Sequence, residues 1–347
     1  METDNGKASR LRVAAIQLVS KLGNAEENIK HATPYIEQAA REGAKLIVLP
    51  EMYVSGYAMI KRVWDLAEPE GGSIELWLTG TSKRLGVYLG AGLIEAVGED
   101  FYNTFVIAGP DGRVAGRVRK TQAEFMLFKA GDLGSHVIDT AIGKIGVGIC
   151  ADTHKTFLPK LMQGQKVDIL LMPHAWPVPC KLSRLISEKD IKDADDNARG
   201  YALLFARMLG VPVMFVNHTG PMEGGRWAGL LGRLMDAEHM RYAGYSAIVD
   251  SDLSVKAQIG RDEGVLVADV APDPERRVKG AIPDYGGWTH PGVALMRKVI
   301  MPFEIGRGKL SYRLSAVRKR KAREASSRTK LSAEGTPGGM NPVWPKT

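Results

Sequence analysis

The segment KIGVGIC (residues 144–150) is a short run of small and β-branched apolar residues that ends on a cysteine. Two further runs of this kind, VDILLMP (167–173) and VPVMFVN (211–217), follow at intervals long enough to hold a helix. Short apolar runs separated by amphipathic segments are typical of buried strands in an α/β protein. We therefore expect strands joined by helices that cover a sheet from outside.

The same alternation extends toward the N-terminus. LRVAAIQLV (11–19) predicts a buried strand, and AKLIVLPE (44–51) predicts a second one. Between them, the spacing of apolar residues predicts a helix that begins after Asn24 as its N-cap and ends at Gly43. Pro34 lies inside this run and should kink or break the helix, because proline removes one backbone hydrogen bond.

The remaining predicted elements continue the mixed α/β pattern. A helix-like stretch at 72–86 is followed by three strand-like segments, LGVYLGAGLIEAV (85–97), FYNTFVIAG (101–109) and GRVAGRVRK (112–120). Three later segments with Gly and Asp turns between them predict a closing meander: SAIVD (246–250), SVKAQIG (254–260) and GVLVADV (264–270).

Composition places the chain among soluble globular proteins. It has 347 residues, of which 44% are hydrophobic and 25% charged. No run of eighteen apolar residues predicts a membrane span, and METDNGKASR at the start lacks the apolar stretch of a signal peptide. Its two cysteines, Cys150 and Cys180, cannot form a disulfide framework. These features together predict a cytoplasmic protein.

The net charge of +8 is concentrated near the C-terminus. Residues 307–330 hold ten Lys/Arg against one acid, which leaves about −1 for the rest of the chain. We interpret this segment as a solvated tail or a basic strip at a subunit contact, followed by an extended end at 336–347. Nucleic-acid binding is disfavoured, because no aromatic residues interleave with the basic ones. No linker interrupts the first part of the chain, so we predict one domain at 11–280 and an extension at 281–347.

Three predicted strands end on, or just before, a residue whose side chain can take part in catalysis. LIVLPE ends at Glu51, GRVRK at Lys120 and GVGIC at Cys150. Ligands in α/β folds bind at the carboxyl ends of strands, so a carboxylate, an ammonium and a thiol are expected to converge there.

Taken together, these segments resemble the nitrilase superfamily, the carbon–nitrogen hydrolases, and the resemblance covers residues 11 to about 275. The matching segments around the three residues are IVLPEMYVSGY (47–57), GRVRKTQ (116–122) and GKIGVGICADTHKTFLP (143–159). Supporting matches are FKAGD (128–132), LLMPHAWP (170–177), ARMLGVPVMFVNHTG (206–220), GYSAIVDSDLSVKAQIG (244–260) and GVLVADV (264–270).

The resemblance implies a four-layer αββα sandwich with a Glu-Lys-Cys catalytic set. By this carry-over Cys150 is the nucleophile, Glu51 the general base, and Lys120 the cation facing the tetrahedral intermediate, assisted by the backbone N–H of Ala151. Glu124 matches a second glutamate that is common in the family and orients the lysine or the substrate. An ordinary thiol is only partly ionised near neutral pH, so a neighbouring base and cation suit a cysteine nucleophile.

The resemblance also narrows the substrate class. An Asp two positions after Cys150 is usual among amidases and carbamoylases, which favours a small amide or carbamoyl compound over a nitrile. A nitrilase that converts a nitrile to an acid and ammonia is the alternative. Tyr57, His174 and Trp176 are expected to line the pocket. No metal or organic cofactor is implied, and a homo-oligomer is expected, with residues 281–330 as a candidate contact.

Two other classes of protein are disfavoured. G-x-G-x-x-A at 146–151, with Asp168 downstream, suggests a dinucleotide site, but the glycines lie within the predicted strand and Asp168 begins the next strand rather than ending it. A non-catalytic protein that uses its basic C-terminus to bind an anionic partner is disfavoured, because Glu51, Lys120 and Cys150 are all present.

Overall fold

Two six-stranded sheets form the centre of the computed structural model, which describes residues 10–183, 186–222, 237–291, 298 and 301–328. The strands of the first sheet are β1 (Leu11–Gln17), β2 (Leu46–Val48), β3 (Tyr88–Val97), β4 (Asp100–Ala108), β5 (Val114–Arg119) and β14 (Gly264–Val270). Those of the second are β6 (Val137–Thr140), β7 (Gly143–Val147), β8 (Ile169–His174), β10 (Val213–Asn217), β12 (Ala247–Val249) and β13 (Val255–Gln258). A two-stranded sheet pairs β9 (Pro177–Pro179) with β11 (Met240–Tyr242).

Each large sheet mixes parallel and antiparallel pairs. The first runs in the order β14-β1-β2-β3-β4-β5, and only β1–β2 and β2–β3 are parallel. The second runs β13-β12-β10-β8-β7-β6, with β7–β8 and β8–β10 parallel. β2, β5 and β7 end close to Glu51, Lys120 and Cys150, so both sheets contribute to one site.

Helices cover the outer face of each sheet. On the first sheet lie α1 (Ala25–Arg41) and α2 (Ser73–Leu85); on the second lie α3 (Phe157–Gln165) and α4 (Glu188–Leu209). Between the sheets, Val48 and Val118 belong to one apolar core with Val147 and Leu171. The layers are therefore helix, sheet, sheet and helix, which confirms the predicted αββα sandwich.

α1 begins after Asn24, whose side chain accepts the N–H of Glu27 (3.2 Å), and it continues through Pro34, so the helix does not break there and a kink stays a prediction. The lost hydrogen bond is tolerated because the helix is anchored by its buried face, including Ile36. The predicted closing meander is wrong: β12 and β13 form a hairpin, but β14 crosses to the other sheet and pairs with β1.

The glycines of the dinucleotide-like motif serve helix packing. A Cβ at Gly146 or Gly148 would collide with Met162 or Leu158 of α3. These glycines let α3 approach β7 closely, and no phosphate-binding role is needed to account for them.

The basic C-terminal segment is folded where the structure describes it. It contains α5 (Met301–Leu314) and α6 (Ala316–Ser326). Arg318 is almost fully buried and donates to Asp100 (2.7 Å), while Ala322 lies in an apolar cluster with Trp64 and Phe101. The segment 301–326 therefore packs on the fold through Arg318 and Ala322, while most of its basic side chains, Arg307 and Arg313 among them, are exposed to solvent. The predicted subunit contact stays a prediction. The basic residue at 330 and the predicted extended end at 336–347 lie outside the described residues.

Candidate active site

Cys150 lies at a sharp turn directly after β7. It begins a short 3₁₀ helix, Cys150–His154, and has a φ of +43°, a left-handed conformation that costs energy for a non-glycine residue. The turn is held on one side by the hydroxyl of Thr153, which donates to the Cys150 carbonyl (2.6 Å). On the other side, Asp152 Oδ1 accepts the N–H groups of Thr121 (3.0 Å) and Gln122 (2.6 Å). Asp152 thereby ties the Cys150 turn to the segment that follows Lys120.

Glu51 is fully buried three residues beyond β2, and every carboxylate oxygen has a donor. Oε1 accepts from Lys120 Nζ (2.7 Å) and from Asn103 Nδ2 (2.7 Å), and Oε2 accepts the N–H of Ala175 (2.9 Å). The Glu51 carbonyl accepts from His218 Nε2 (2.6 Å). Both the backbone and the side chain of Glu51 are therefore fixed.

One ammonium group serves two carboxylates. Lys120 Nζ, also buried, donates to Glu51 (2.7 Å) and to Glu124 Oε1 (2.5 Å). Tyr57 OH donates to the same Glu124 oxygen (2.9 Å). We call Glu51, Lys120, Glu124 and Cys150 the site cluster; the structure brings these residues together from three separate parts of the chain.

Burial and charge shift the pKa values of the cluster. Burial raises the pKa of Glu51, and Lys120 only partly opposes that effect. Burial lowers the pKa of Lys120, but the negative charges of Glu124 and Glu51 outweigh it and hold the pKa well above its ordinary value. Burial and the Glu51 charge raise the pKa of Cys150 well above its usual range, although Lys120 and the Ala175 N–H favour the thiolate. The protonated thiol is therefore the favoured form of Cys150 near neutral pH.

Asp152 is a buried carboxyl with an unusual titration. Burial raises its pKa to about 7, against the opposing effect of the Gln122 N–H. Oδ2 is buried and has no hydrogen-bond partner among the described residues. An acid in this state changes its charge near neutral pH.

An aromatic cluster lies beside the Cys150 turn. The Trp176 ring is 4.6 Å from the Tyr201 ring and 5.2 Å from the His154 ring, measured between centroids. Tyr201 OH lies 3.0 Å from Thr153 Oγ1, which joins the cluster to the Cys150 turn.

The predicted pocket residues differ in accessibility. Tyr57 is buried and contacts Glu124. Ala151, in the Cys150 turn, and Trp176, just after the end of β8, are half-buried. His174 is fully buried, with Nδ1 donating to the Met172 carbonyl (2.9 Å) and Nε2 lying 3.2 Å from Thr153 Oγ1. Its role in contacting a substrate stays a prediction.

The extension contributes to this region. Thr289 N–H donates to the His154 carbonyl (3.0 Å), Thr289 Oγ1 donates to the Thr153 carbonyl (3.0 Å), and Lys155 forms a bridge with Trp288. His290 Nε2 lies 3.0 Å from His154 Nδ1. A segment beyond residue 280 therefore braces residues 153–155, at the end of the 3₁₀ helix that begins with Cys150.

Sequence reasoning missed three groups that touch the cluster. They are the Asn103 side chain, the Ala175 N–H and the His218 ring. Asn103 could have been recognised from the sequence, because it is an amide in the middle of the apolar run FYNTFVIAG. Ala175 could not, because its contribution is a backbone group. Among the described residues, no group of three or more His, Cys, Asp and Glu side chains is placed to hold a metal, and no helix is long and apolar enough to cross a membrane.

Comparison with known proteins gives a consistent result. A family model described as carbon-nitrogen hydrolase matches residues 12–279. A nitrilase from Pyrococcus abyssi is 36% identical over 149 residues, which cover 41% of this chain and 56% of the relative's own length. A 2-oxoglutaramate amidase from Bacillus subtilis is 27% identical over 279 residues, covering 78% of this chain and 95% of the relative. The structure of a mutant amidase of Nesterenkonia AN1, from the nitrilase superfamily, matches with a TM-score of 0.58 at 19% identity, over 78% of this chain and 94% of that one.

Proposed function

This chain belongs to the carbon-nitrogen hydrolase family, and from that premise we propose that it hydrolyses the C–N bond of a small amide through a thioester on Cys150. The observation that carries the proposal is the buried Lys120 ammonium, held between the carboxylates of Glu51 (2.7 Å) and Glu124 (2.5 Å) and charge-coupled to Cys150. A structural ion pair needs no neighbouring thiol at a strained turn. A cysteine nucleophile needs a base and a cation beside it.

In the acylation half, Glu51 takes the Cys150 proton as sulfur attacks the amide carbon. The C–S bond forms, and the carbonyl π electrons move to oxygen. Lys120 and the Ala151 N–H stabilise this oxyanion, because the first N–H groups of a helical turn have no acceptor inside it. The intermediate collapses as the C–N bond breaks, and protonated Glu51 returns its proton to the leaving nitrogen.

In the deacylation half, Glu51 takes a proton from water while the water oxygen attacks the thioester carbon. A second oxyanion forms and is stabilised by the same groups. When it collapses the C–S bond breaks, the carboxylic acid is released, and Glu51 returns the proton to sulfur. Cys150 and Glu51 end in their starting states, so no cofactor is consumed.

The substrate class is proposed to be small amides or carbamoyl compounds. The motif Cys150-Ala151-Asp152 supports this class, and the relative matched over most of its length is named an amidase. A nitrile is the second candidate, because another relative is named a nitrilase.

We further propose that the protein works in the cytoplasm as a homo-oligomer, with residues 281–330 at the contact. A mechanism that uses a free thiol fits a reducing compartment. Phe303, Leu310 and Leu314 of α5 have side chains 62%, 57% and 71% exposed. They share one face of that helix and offer an apolar surface for a second copy.

The test is intact-mass spectrometry after brief incubation with amides, carbamoyl amino acids and nitriles, with ammonia release measured in parallel. We expect an acyl adduct on wild-type protein and on Cys180→Ala, and none on Cys150→Ala. Ammonia or amine release from amides but not nitriles would establish the amidase. An adduct that persists in Cys150→Ala would contradict the mechanism.

A further inference from the structure

Asn103 contacts three of the four members of the site cluster. Its side-chain Nδ2 donates to Glu51 Oε1 (2.7 Å) and lies 3.4 Å from Glu124 Oε2, and its backbone carbonyl accepts the N–H of Lys120 (2.8 Å). The residue lies in the middle of β4 and is 1% exposed. It is therefore fixed by the sheet and is not a flexible surface amide.

The amide is oriented for the carboxylates. Its NH₂ group faces two carboxylate oxygens, and the reverse orientation would place the amide oxygen against both of them. Its Oδ1 is buried without a hydrogen-bond partner among the described residues. A buried acceptor without a hydrogen bond costs free energy. We therefore attribute the presence of an amide at this position to the hydrogen bonds that its NH₂ group donates.

The bonds to Glu51 distinguish its two oxygens. Oε1 receives two donors, Lys120 and Asn103, whereas the one donor to Oε2 within the described parts of the chain is the Ala175 N–H. Because each carboxylate oxygen can accept two hydrogen bonds, Oε2 keeps one acceptor position. The Ala175 N–H that donates to Oε2 (2.9 Å) also favours the Cys150 thiolate, so we take Oε2 to be the oxygen that faces the thiol.

We propose that Asn103 is a positioning residue that, together with Lys120, occupies Glu51 Oε1 and so directs Oε2 to the Cys150 thiol, while aligning Glu124 with the same ammonium. This inference rests on the proposed function, because it assigns the oxygen that moves the proton. It adds a residue to the machinery without giving it direct contact with the substrate.

The neighbouring residue on β4 supplies a matched control. Thr104 is also fully buried, and its hydroxyl donates to a buried carboxylate, Glu95 Oε2 (2.8 Å), on the opposite face of the strand. Thr104→Val therefore removes a comparable buried hydrogen bond outside the site cluster.

The experiment compares Asn103→Leu, Asn103→Asp and Thr104→Val with wild type. The first readout is the pH profile of kcat/KM on an amide that wild type cleaves. The second needs no substrate: the pH profile of Cys150 alkylation by iodoacetamide, read by intact mass with every variant in a Cys180→Ala background. Asn103→Asp preserves side-chain shape, so the test stands if the Leu variant does not fold.

We expect Asn103→Leu to lower kcat by about 10- to 100-fold, with KM changed less than about threefold. Loss of a donor to the ionised carboxylate makes Glu51 easier to protonate, so the acid-side midpoint of both profiles moves to higher pH. Asn103→Asp adds a negative charge and moves the midpoint further. Thr104→Val leaves both profiles in place.

Unchanged midpoints in both Asn103 variants, or an equal shift in Thr104→Val, would overturn the positioning role. If no amide, carbamoyl compound or nitrile is turned over by wild type while the alkylation midpoints still shift in the expected order, the proposed function fails and the positioning role stands.

Discussion

Two buried glutamates, Glu51 and Glu95, form ion pairs with cations from the same stretch of chain, residues 117–120. Their pKa values are nevertheless shifted in opposite directions. Glu95 and Glu51 are both fully buried. Glu95 accepts from Arg117 (2.8 Å), from Arg119 (2.8 and 3.0 Å) and from Thr104, whereas Glu51 shares the single ammonium of Lys120 with another carboxylate. We call Glu95, Arg117 and Arg119 the arginine cluster.

The difference in charge balance separates structure from reactivity. Burial raises the pKa of Glu95, but two guanidinium groups outweigh it and the pKa falls below its ordinary value. Burial raises the pKa of Glu51, and one shared ammonium is not enough to reverse that rise. A carboxylate that is hydrogen-bonded by two guanidinium groups stays ionised and holds strands together. A carboxylate with too few cations remains basic enough to take a proton.

The largest expected effect tests this contrast through activity. Glu51→Gln keeps the side-chain shape and removes the base, so kcat/KM should fall by about 100- to 10,000-fold. Glu95→Gln, the matched change in the arginine cluster, should leave kcat within about threefold of wild type when assayed well below its unfolding temperature. Amide hydrolysis by both variants measures this. Equal losses of kcat would mean that the two glutamates do not differ in role.

The same pair of variants should show opposite effects on stability. At pH 7, Glu95→Gln should lower the free energy of unfolding by about 2 kcal/mol, because Arg117 and Arg119 lose their hydrogen bonds to this carboxylate, although Arg117 keeps its ion pair with Glu75 (2.9 Å). The Glu95 pKa is lowered, so its contribution is present above its unfolded-state pKa of about 4.3 and is lost as pH falls through the folded-state pKa. The penalty of Glu95→Gln should therefore shrink toward pH 3.5.

For Glu51 the sign is reversed. Its pKa is raised, so its contribution is present below about pH 4.3 and is lost as pH rises through the folded-state pKa. Glu51→Gln should be as stable as wild type or more stable at pH 7. Urea unfolding between pH 3.5 and 7.5 checks both variants, and a Glu51→Gln protein that is strongly destabilised at pH 7 would contradict the comparison.

Asp152 provides a sharper test of burial without a cation. Its pKa of about 7 lies far above that of an ordinary Asp, so wild type loses stability as pH rises from about 4 to 7 and then levels off. Asn at this position keeps an acceptor for the Thr121 and Gln122 N–H groups and cannot ionise. The stability of Asp152→Asn relative to wild type should rise by about 1 kcal/mol between pH 6 and 7 and stay constant above pH 8. A difference that does not depend on pH would place the Asp152 pKa outside this range.

Much of the fold and of the site cluster could be predicted, because the ends of strands and the positions of charged residues can be recognised in the sequence alone. The runs that end near Glu51, Lys120 and Cys150 predict strands, and the alternation of strands and helices predicts an α/β fold. The four layers are implied by the resemblance to the nitrilase superfamily. The partner of β14 was not predictable, because a hairpin-like pattern does not say which sheet a strand joins. Neither was the Ala175 N–H, since every residue has one and only the folded chain brings this one to Glu51.

The smallest expected effect concerns the extension beyond the family-matched residues 12–279. The question is whether residues of this extension also help to position Cys150. Thr289 Oγ1 donates to the Thr153 carbonyl (3.0 Å), and Thr153 in turn holds the Cys150 carbonyl. Thr289→Val should lower the free energy of unfolding by about 1 kcal/mol. It should also lower kcat by less than about tenfold, because a slight displacement of a reacting group is costly. Thr140→Val, which removes a turn hydrogen bond to the Gly143 carbonyl (2.7 Å), is the control and should affect stability alone. If Thr289→Val also changes only stability, the extension braces the fold without positioning the nucleophile, and only the residues of the site cluster and their direct partners set its reactivity.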